Sequence, residues 1–328
     1  MNQKILVTGG AGFIGSHLVE LLVNKGFDVV AFDRYNSNNH WGWLENSPIK
    51  NDVEVILGDI RDYDSVYKTL NGCIAVFHLA ALIGIPYSYV SPMAYLKTNV
   101  EGTYNILEAS KCLGLEQVLI TSTSETYGSA QYIPINENHP AVGQSPYSAS
   151  KIAADQLAYS YYASFELPIK IVRPFNTYGP RQSARAIIPT VISQILSGKS
   201  ELKLGNLSPT RDLTFVKDTC SGFLNIYNHD GLWGEATNIG MNEEISIGNL
   251  VHKIASLLDK KITISNENAR IRPHASEVEQ LWSDNTKLVS TTGWKPEYTL
   301  DTGLQKTIEW IKENQKMFGR RIKQLDHI

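Results

Sequence analysis

Cysteine is scarce and unpatterned. The three present, Cys73, Cys112 and Cys220, lie far apart and form neither a Cys-x-x-Cys pair nor a zinc-like Cys/His spacing. That excludes a disulfide framework as the organising device, leaves reduced structural thiols as the expectation, and gives no reason to expect a metal. No apolar run approaches the ~18 residues of a membrane span. An apolar β run already begins at Lys4, so neither a membrane helix nor a secretory leader is expected. The 30 Lys and Arg against 33 Asp and Glu give a formal net charge of −3 with no basic run, which argues against nucleic-acid or membrane-surface partners. Internal repeats and low-complexity segments are also missing. What remains is a soluble, cytoplasmic protein of 328 residues, enough for one large domain or two modest ones with a substantial core.

What is present begins with a strand, a glycine turn and a helix. Lys4–Thr8 is a short apolar run; Gly9-Gly10-Ala11-Gly12-Phe13-Ile14-Gly15 follows; Ser16–Lys25 then carries Leu18, Leu21 and Leu22 at helical spacing before Gly26 stops it. In such a turn Gly9 permits the tight bend and Gly12 lets the backbone approach a pyrophosphate. Gly15 lets the helix pack close to the strand, which places the helix N-terminus, with Phe13 and Ile14, beside the anion. A second strand, Asp28–Phe32, ends in Asp33, at the spacing where a carboxylate grips the adenosine ribose hydroxyls. Asp33 would repel a 2′-phosphate, which points to NAD rather than NADP, although Arg34 beside it is the kind of side chain a 2′-phosphate uses.

Strand and helix patterns then alternate. Val53–Leu57 leads into Gly58-Asp59-Ile60-Arg61-Asp62, and Ile74–Leu79 into Ala80-Ala81. A helix from about Ala94 to Leu113 is stopped by Gly114, and the strand Gln117–Thr123, a helix around Tyr147 and the strand Ile169–Val172 follow. This βαβα order specifies an α/β fold with a doubly wound parallel sheet of the Rossmann kind. Asp59, Ile60, Ala80 and Ala81 fall at strand ends, near where adenine and pyrophosphate would lie. Asn99, inside the long helix, faces either the nicotinamide side or a neighbouring backbone.

Two clusters carry the chemistry: Thr121-Ser122-Thr123-Ser124-Glu125 at the end of a strand, and Tyr147-Ser148-Ala149-Ser150-Lys151 on a helix. Tyr147 and Lys151, four residues apart, share a helix face. A phenol ordinarily titrates near pH ~10, but an adjacent ammonium and a bound nicotinamide cation both favour the phenolate. That is a means of deprotonating a sugar hydroxyl, and Glu125 at the strand end offers a second base.

Past Arg173-Pro174-Phe175-Asn176-Thr177-Tyr178-Gly179-Pro180 the alternation breaks down, a candidate domain border. The remainder holds an apolar helix near Ile187–Leu196, a Lys203–Gly205 strand, a capped amphipathic helix Ser246–Leu258, and a last helix bearing Leu304, Ile308 and Ile311. Arg181, Arg185, Arg211 and Arg272 are spread through otherwise neutral segments, and forked guanidinium groups suit a diphosphate.

Taken together these residues resemble the extended short-chain dehydrogenase/reductase family, enzymes that modify nucleotide sugars while NAD stays bound. The resemblance covers nearly the whole chain: the glycine fingerprint, Asp33, Gly58-Asp59, the Thr123 region, Tyr147-x-x-x-Lys151, Arg173–Pro180, Arg211-Asp212, and Arg272-Pro273 followed by Asp284-x-Thr286-Lys287. It implies a Rossmann domain over residues 1–178, to which 212–240 return, and a smaller α/β C-terminal substrate domain from 179–211 and 241–328. It also implies a homodimer built from helices, and a nucleotide-sugar diphosphate held by Asn176, Arg211 and Arg272.

Within that family the chain looks most like the NAD-dependent 4,6-dehydratases of nucleotide-activated N-acetylglucosamine in legionaminic acid synthesis. The matching residues are Thr121–Glu125, Gln144–Lys151, Arg173–Ala186 and Pro209–Leu213. One position departs: hexose dehydratases carry Thr-Asp-Glu where this chain has Thr123-Ser124-Glu125, and their Asp is the acid for the departing C6 hydroxyl. Ser-Glu also occurs in nucleotide-glucuronate decarboxylases, so both chemistries remain open, with a 4-epimerase as a further alternative. The resemblance implies that Tyr147 takes the C4 hydroxyl proton with Thr123 hydrogen-bonded to it, and that Glu125 takes the C5 proton. A simple epimerase needs no C5 base, and a non-enzymatic dinucleotide sensor has no use for Thr123, Tyr147 and Lys151 together.

Overall fold

The computed structural model describes residues 3–266 and 273–315. Its largest sheet has seven strands: β1 (Lys4–Thr8), β2 (Asp28–Arg34), β3 (Val53–Gly58), β4 (Ala75–His78), β5 (Gln117–Thr121), β6 (Ile169–Pro174) and β7 (Ala236–Ile239). Their spatial order is β7-β6-β5-β4-β1-β2-β3, and every neighbouring pair is parallel. The labelled helices are α1 (Phe13–Asn24), α2 (Tyr63–Leu70), α3 (Gly102–Leu113), α4 (Pro146–Phe165), α5 (Ile187–Leu196), α6 (Val216–Asn228), α7 (Ile247–Leu257) and α8 (Leu300–Glu313).

The strands are apolar at nearly every position because both sheet faces are buried. Ile5, Val7, Val29, Ala31 and Phe77 point to the face covered by α1 and α6, through Leu18, Leu22 and Phe223. Leu6, Val30, Val76, Val118 and Ile120 point to the opposite face, against Val66 and Leu70 of α2, Ile106 of α3 and Ala158 of α4. The C-terminal segments bring α5, α7 and α8 together with a parallel pair, Glu201–Leu204 with Thr263–Asn266, and a three-stranded sheet centred on Thr210–Arg211. Their apolar residues Ile188, Ile192, Leu250, Ile254, Leu304 and Ile308 join the same core as the α1 face, so the apolar interior is continuous between the two parts.

Three local structures position the site. Strand β5 stops at Thr121, two residues earlier than its sequence pattern predicts. Thr123 instead caps a short 3₁₀ turn, Ser124–Tyr127, its hydroxyl accepting from the Glu125 amide at 3.3 Å. Hydroxyl side chains compete with ladder bonding in this way. Helix α4 opens with a reciprocal cap: Ser145 Oγ accepts from the Ser148 amide (3.1 Å) while Ser148 Oγ accepts from the Ser145 amide (3.0 Å), with Pro146 in the first turn. Such caps contribute about 1 kcal/mol, and this one fixes Tyr147 in the first turn. The long helix expected from Ala94 is a short turn, Pro92–Tyr95, then a wider π-type turn, Leu96–Glu101, continuing into α3, with Gly114 closing it in the left-handed conformation at φ 67°.

Tyr178, in the middle of the Arg173–Pro180 motif, is buried, and its hydroxyl donates to the Leu300 carbonyl at 3.2 Å. Gly303 lies directly over that hydroxyl, where a Cβ would collide with it. Gly303→Ala should therefore lower stability by roughly 1–3 kcal/mol through overpacking, read as a lower thermal midpoint; an unchanged midpoint would contradict this packing.

Candidate active site

The connections leaving β1 and β4 diverge, and the crevice between them opens into a cleft of about 2190 Å³ that runs across the carboxyl ends of the large sheet to α5 and Arg211. Pockets for a single small ligand span roughly 300–1,000 Å³, so this cleft has room for a dinucleotide and a nucleotide sugar side by side. At its β1 end Gly9 has φ +69°, and its amide donates to the Phe32 carbonyl at 2.8 Å, which seats the turn against the end of β2. A Cβ on Gly15 would run into the Gly9 carbonyl, and one on Gly12 would lie 3.1 Å from it. Gly12 caps α1 with no side chain over the helix end, so the first-turn amides are left for an anion.

Asp33 stands at the rim of this turn, one oxygen accepting from the Ala11 amide (2.8 Å) and the other from the Arg34 amide (2.7 Å). Burial pushes its carboxyl above the usual range, and those two amides oppose the shift. Each oxygen retains a lone pair for a hydroxyl donor, which a ribose diol supplies and a phosphate does not. Asp59 also lines the cleft, but its carboxylate is gripped by Arg61 Nε at 2.9 and 3.1 Å. Ile60, Ala80 and Ala81 line the same region.

Further along the cleft, Thr123, Ser124, Glu125, Tyr147 and Lys151 come together. The Tyr147 hydroxyl is hydrogen-bonded to Thr123, and Glu125 is close enough for its charge to act on the phenol. Burial raises the Tyr147 phenol well above its ordinary value, the Thr123 bond opposes this, and Glu125, Tyr95 and Asp155 add to it. Lys151 is buried, donates to the Thr121 carbonyl at 2.5 Å, and is lowered by burial against the pull of Asp155. The phenolate is expected to need both an adjacent ammonium and a bound nicotinamide cation, and burial by itself favours the protonated phenol.

Sequence reasoning missed a buried chain beneath this site. Ala80 N–H donates to Thr8 Oγ1 (3.1 Å), Thr8 Oγ1 lies 2.7 Å from His78 Nδ1, and His78 Nε2 lies 3.2 Å from Thr103 Oγ1, which donates to the Asn99 carbonyl at 2.7 Å. The direction of these bonds fixes a neutral His78 with its proton on Nε2, in keeping with a fully buried ring whose pKa burial drives down to about 3. Asn99 itself does not line the cleft. Its amide clasps both backbone groups of Leu82 (2.8 and 2.9 Å) and donates to Ser150 Oγ at 2.9 Å, so it joins the loop after β4 to helix α4 instead of facing a cofactor.

The four arginines separate. Arg211 lines the cleft and lies 3.5 Å from Glu277, a cleft residue with no sequence signal of its own. Arg185 is exposed along the same wall, and Arg272 lies outside the described residues. Arg181 turns away from the cleft in a left-handed conformation, φ 69°, donating to Glu20 at 2.7 Å and Ser16 Oγ at 3.1 Å on the back of α1. Its charge is neutralised there, so the expected diphosphate contact is corrected to a structural ion pair. Asn176 Oδ1 and Gln182 Oε1, on two residues of the cleft wall, are buried and have no hydrogen-bond partner among the described residues.

Comparison with known proteins agrees with this geometry. Residues 6–307 match the model of the family described as GDP-mannose 4,6 dehydratase. This chain belongs to that NAD-dependent nucleotide-sugar epimerase/dehydratase family. Relatives within it catalyse different reactions. A UDP-N-acetyl-alpha-D-glucosaminuronate decarboxylase of Bacillus cytotoxicus is 31% identical over 95% of this chain and 99% of its own length. A UDP-glucuronate 4-epimerase of Thermodesulfobacterium geofontis is 30% identical over 94% and 96%. The crystal structure of DesIV, a dTDP-glucose 4,6-dehydratase from Streptomyces venezuelae solved with NAD bound, superposes with a TM-score of 0.87 at 27% identity, covering 97% of this chain and 99% of that one.

Membership gives the dinucleotide end of the cleft a direct test. If Asp33, at the rim of the glycine turn, meets the ribose diol, NAD should bind more than tenfold more tightly than NADP, a gap above ~1.4 kcal/mol. Calorimetry on the purified protein measures this, and equal affinities would remove Asp33 from that role.

Proposed function

We propose that this protein is a 4,6-dehydratase acting with NAD on a nucleotide-activated N-acetylglucosamine, producing the 4-keto-6-deoxy sugar, the kind of step that opens legionaminic acid synthesis. The observation that carries the reading is Glu125: a half-buried carboxylate in the cleft, close enough to Tyr147 for its charge to be felt there and two residues past Thr123. A second base so placed has a task in a dehydratase and none in a plain 4-epimerase. The glycine cradle, the bare end of α1 and the diol-ready Asp33 fit NAD on their own geometry. Asn176, Arg211, Arg185 and Arg272 are the groups for the nucleotide diphosphate, and the unsatisfied amide oxygens of Asn176 and Gln182 suit hydroxyl or amide donors. Exposed Tyr104 on α3, with Tyr159 and Phe165 on α4, supports the helix-built homodimer.

Bound NAD supplies an acceptor for hydride from C4, a donor for C6, and a positive charge beside the Tyr147 phenol. Tyr147 takes the C4 hydroxyl proton while Thr123 orients that hydroxyl; Lys151, pinned to the Thr121 carbonyl, keeps a second cation beneath the ring. The C4 ketone acidifies C5–H, and Glu125 removes that proton. With Ser124 where related hexose dehydratases have an acid, the protonated Glu125 carboxyl is the group that hands the same proton to the departing C6 hydroxyl, which leaves as water. Glu125 then returns a solvent-derived proton to C5.

Tyr147→Phe should retain NAD affinity and lose C4 oxidation by about 10²-fold or more, because only the proton acceptor is removed; near-normal turnover would remove Tyr147 from this role. In heavy water the product should carry deuterium at C5, a C4-deuterated substrate should deliver its label to C6, and Glu125→Gln should stop at the 4-keto sugar. The competing reading, decarboxylation, is favoured by Ser124, since loss of CO₂ needs no C6 acid. Release of CO₂ from nucleotide glucuronates with nucleotide N-acetylhexosamines left unchanged would establish it instead.

A further inference from the structure

Helix α4 places a third ionisable residue on the face that carries Tyr147 and Lys151. Asp155 follows Lys151 by four residues, so positions 147, 151 and 155 form one row aimed at the end of β5. Asp155 is 3% exposed. Its Oδ2 accepts from Ser122 Oγ at 2.6 Å and from Arg173 Nη2 at 2.9 Å, while its Oδ1 is buried and has no hydrogen-bond partner among the described residues. Arg173 continues the chain: Nη1 donates to the Tyr127 hydroxyl at 3.1 Å, and Tyr127 donates to Asn238 Oδ1 of β7 at 2.7 Å. Tyr127 closes the 3₁₀ turn that presents Glu125. One buried carboxylate on the helix that carries Tyr147 and Lys151 is thus tied to Ser122 just past β5, to Arg173 of β6 and, through Arg173, to the turn bearing the second base.

We propose that Asp155 is a positioning residue for the reaction, acting through Lys151 and Tyr147: clamped by Ser122 and Arg173, it is the fixed negative charge that keeps the buried Lys151 ammonium charged and seated under the site. A buried ammonium bonded only to a neutral carbonyl tends to lose its proton, and the Asp155 charge acts on Lys151 in the opposite sense. The remaining charged or titratable groups beside this row are Glu125 and Tyr95 at Tyr147, His78, on which the Lys151 charge acts, and Arg173 at Asp155. His78 is neutral, Tyr95 is a phenol and Arg173 is already paired, which leaves Asp155 as the anion on the Lys151 side and Glu125 as the anion on the substrate side.

The sign of the effect follows. A nearby anion makes an ammonium harder to deprotonate and a phenol harder to ionise. Oxidation at C4 should rise with pH as Tyr147 ionises and fall as Lys151 loses its proton, so neutralising Asp155 should move both limbs of the profile to lower pH. Asp155→Asn keeps the shape and removes the charge. Single-turnover C4 oxidation across pH should show both limbs shifted down on the order of one unit, with NAD affinity retained. Ultraviolet difference titration of the Tyr147 phenolate in the NAD complex, against Tyr147→Phe, should show the same shift without turnover. Arg173→Lys, which preserves the counter-charge, should leave both limbs in place and lower only the thermal midpoint. Should Asp155→Asn fail to fold, Ser122→Ala is read instead: it strips a hydroxyl donor from Oδ2, leaves the anion less neutralised, and should move both limbs upward. Limbs that stay put in Asp155→Asn, or in Ser122→Ala where that variant is needed, overturn the proposal and leave Asp155 a packing residue. Because this role rests on Tyr147 serving as the C4 base, the outcomes are separable: an active Tyr147→Phe enzyme defeats that reading, whereas unmoved limbs in an enzyme that Tyr147→Phe inactivates defeat only the role of Asp155.

Discussion

A parallel sheet covered on both faces leaves one place for a ligand, the carboxyl ends of its strands, and among those ends one gap, where the connections of two adjacent strands leave in opposite directions. Here that gap lies between β1 and β4, and the rest of the site is arranged around it. The glycine turn closes against β2 because Gly9 bonds the Phe32 carbonyl, and Asp33 at the end of that strand then lies beside the turn. The loop after β4 is drawn to α4 by Asn99, and α4 is fixed against β5 by Ser122 and Asp155. Each reactive side chain inherits its position from the sheet through a bond that is itself buried.

The electrostatics follow the same economy of water. Groups ionised elsewhere are buried here, and each is held by a specific partner: Lys151 by a carbonyl, Asp33 by two amides, Asp155 by Arg173, Arg211 by Glu277. Burial alone would leave Tyr147 protonated and Lys151 prone to lose its proton. A cation entering the cleft would favour the Tyr147 phenolate, and in the proposed reaction this would couple the readiness of the base to the presence of the oxidised cofactor.

Arg181 and Asn99 show how chemistry readable from residue type can be redirected by packing. An arginine following Gly179-Pro180 has the right fork for a diphosphate, yet its left-handed backbone turns the side chain onto α1, where Glu20 and Ser16 satisfy it. Asn99 has the polarity to meet a nicotinamide, but the wider π-type turn around it aims the amide at the Leu82 backbone. In both cases the nearest unsatisfied buried group, and not the ligand, took the hydrogen bonds.

The sequence by itself determined the strand–turn–helix order, because hydrophobic period and glycine placement are local properties. It also determined the identities of Gly9, Gly12, Gly15, Asp33, Tyr147 and Lys151, whose spacing along the chain is their signature. Only the tertiary structure decided that β5 ends at Thr121, that His78 is neutral with a defined tautomer, that Glu277 lies against Arg211, and that Asp155 binds Ser122, just past β5, and Arg173 of β6. These residues lie 18 to 70 positions from the partners they meet, as with Asp155 and Arg173 or His78 and Thr8, and none has a local pattern that names its partner. The reason is physical: propensity and periodicity act between chain neighbours, whereas burial selects partners through space after the sheet has formed.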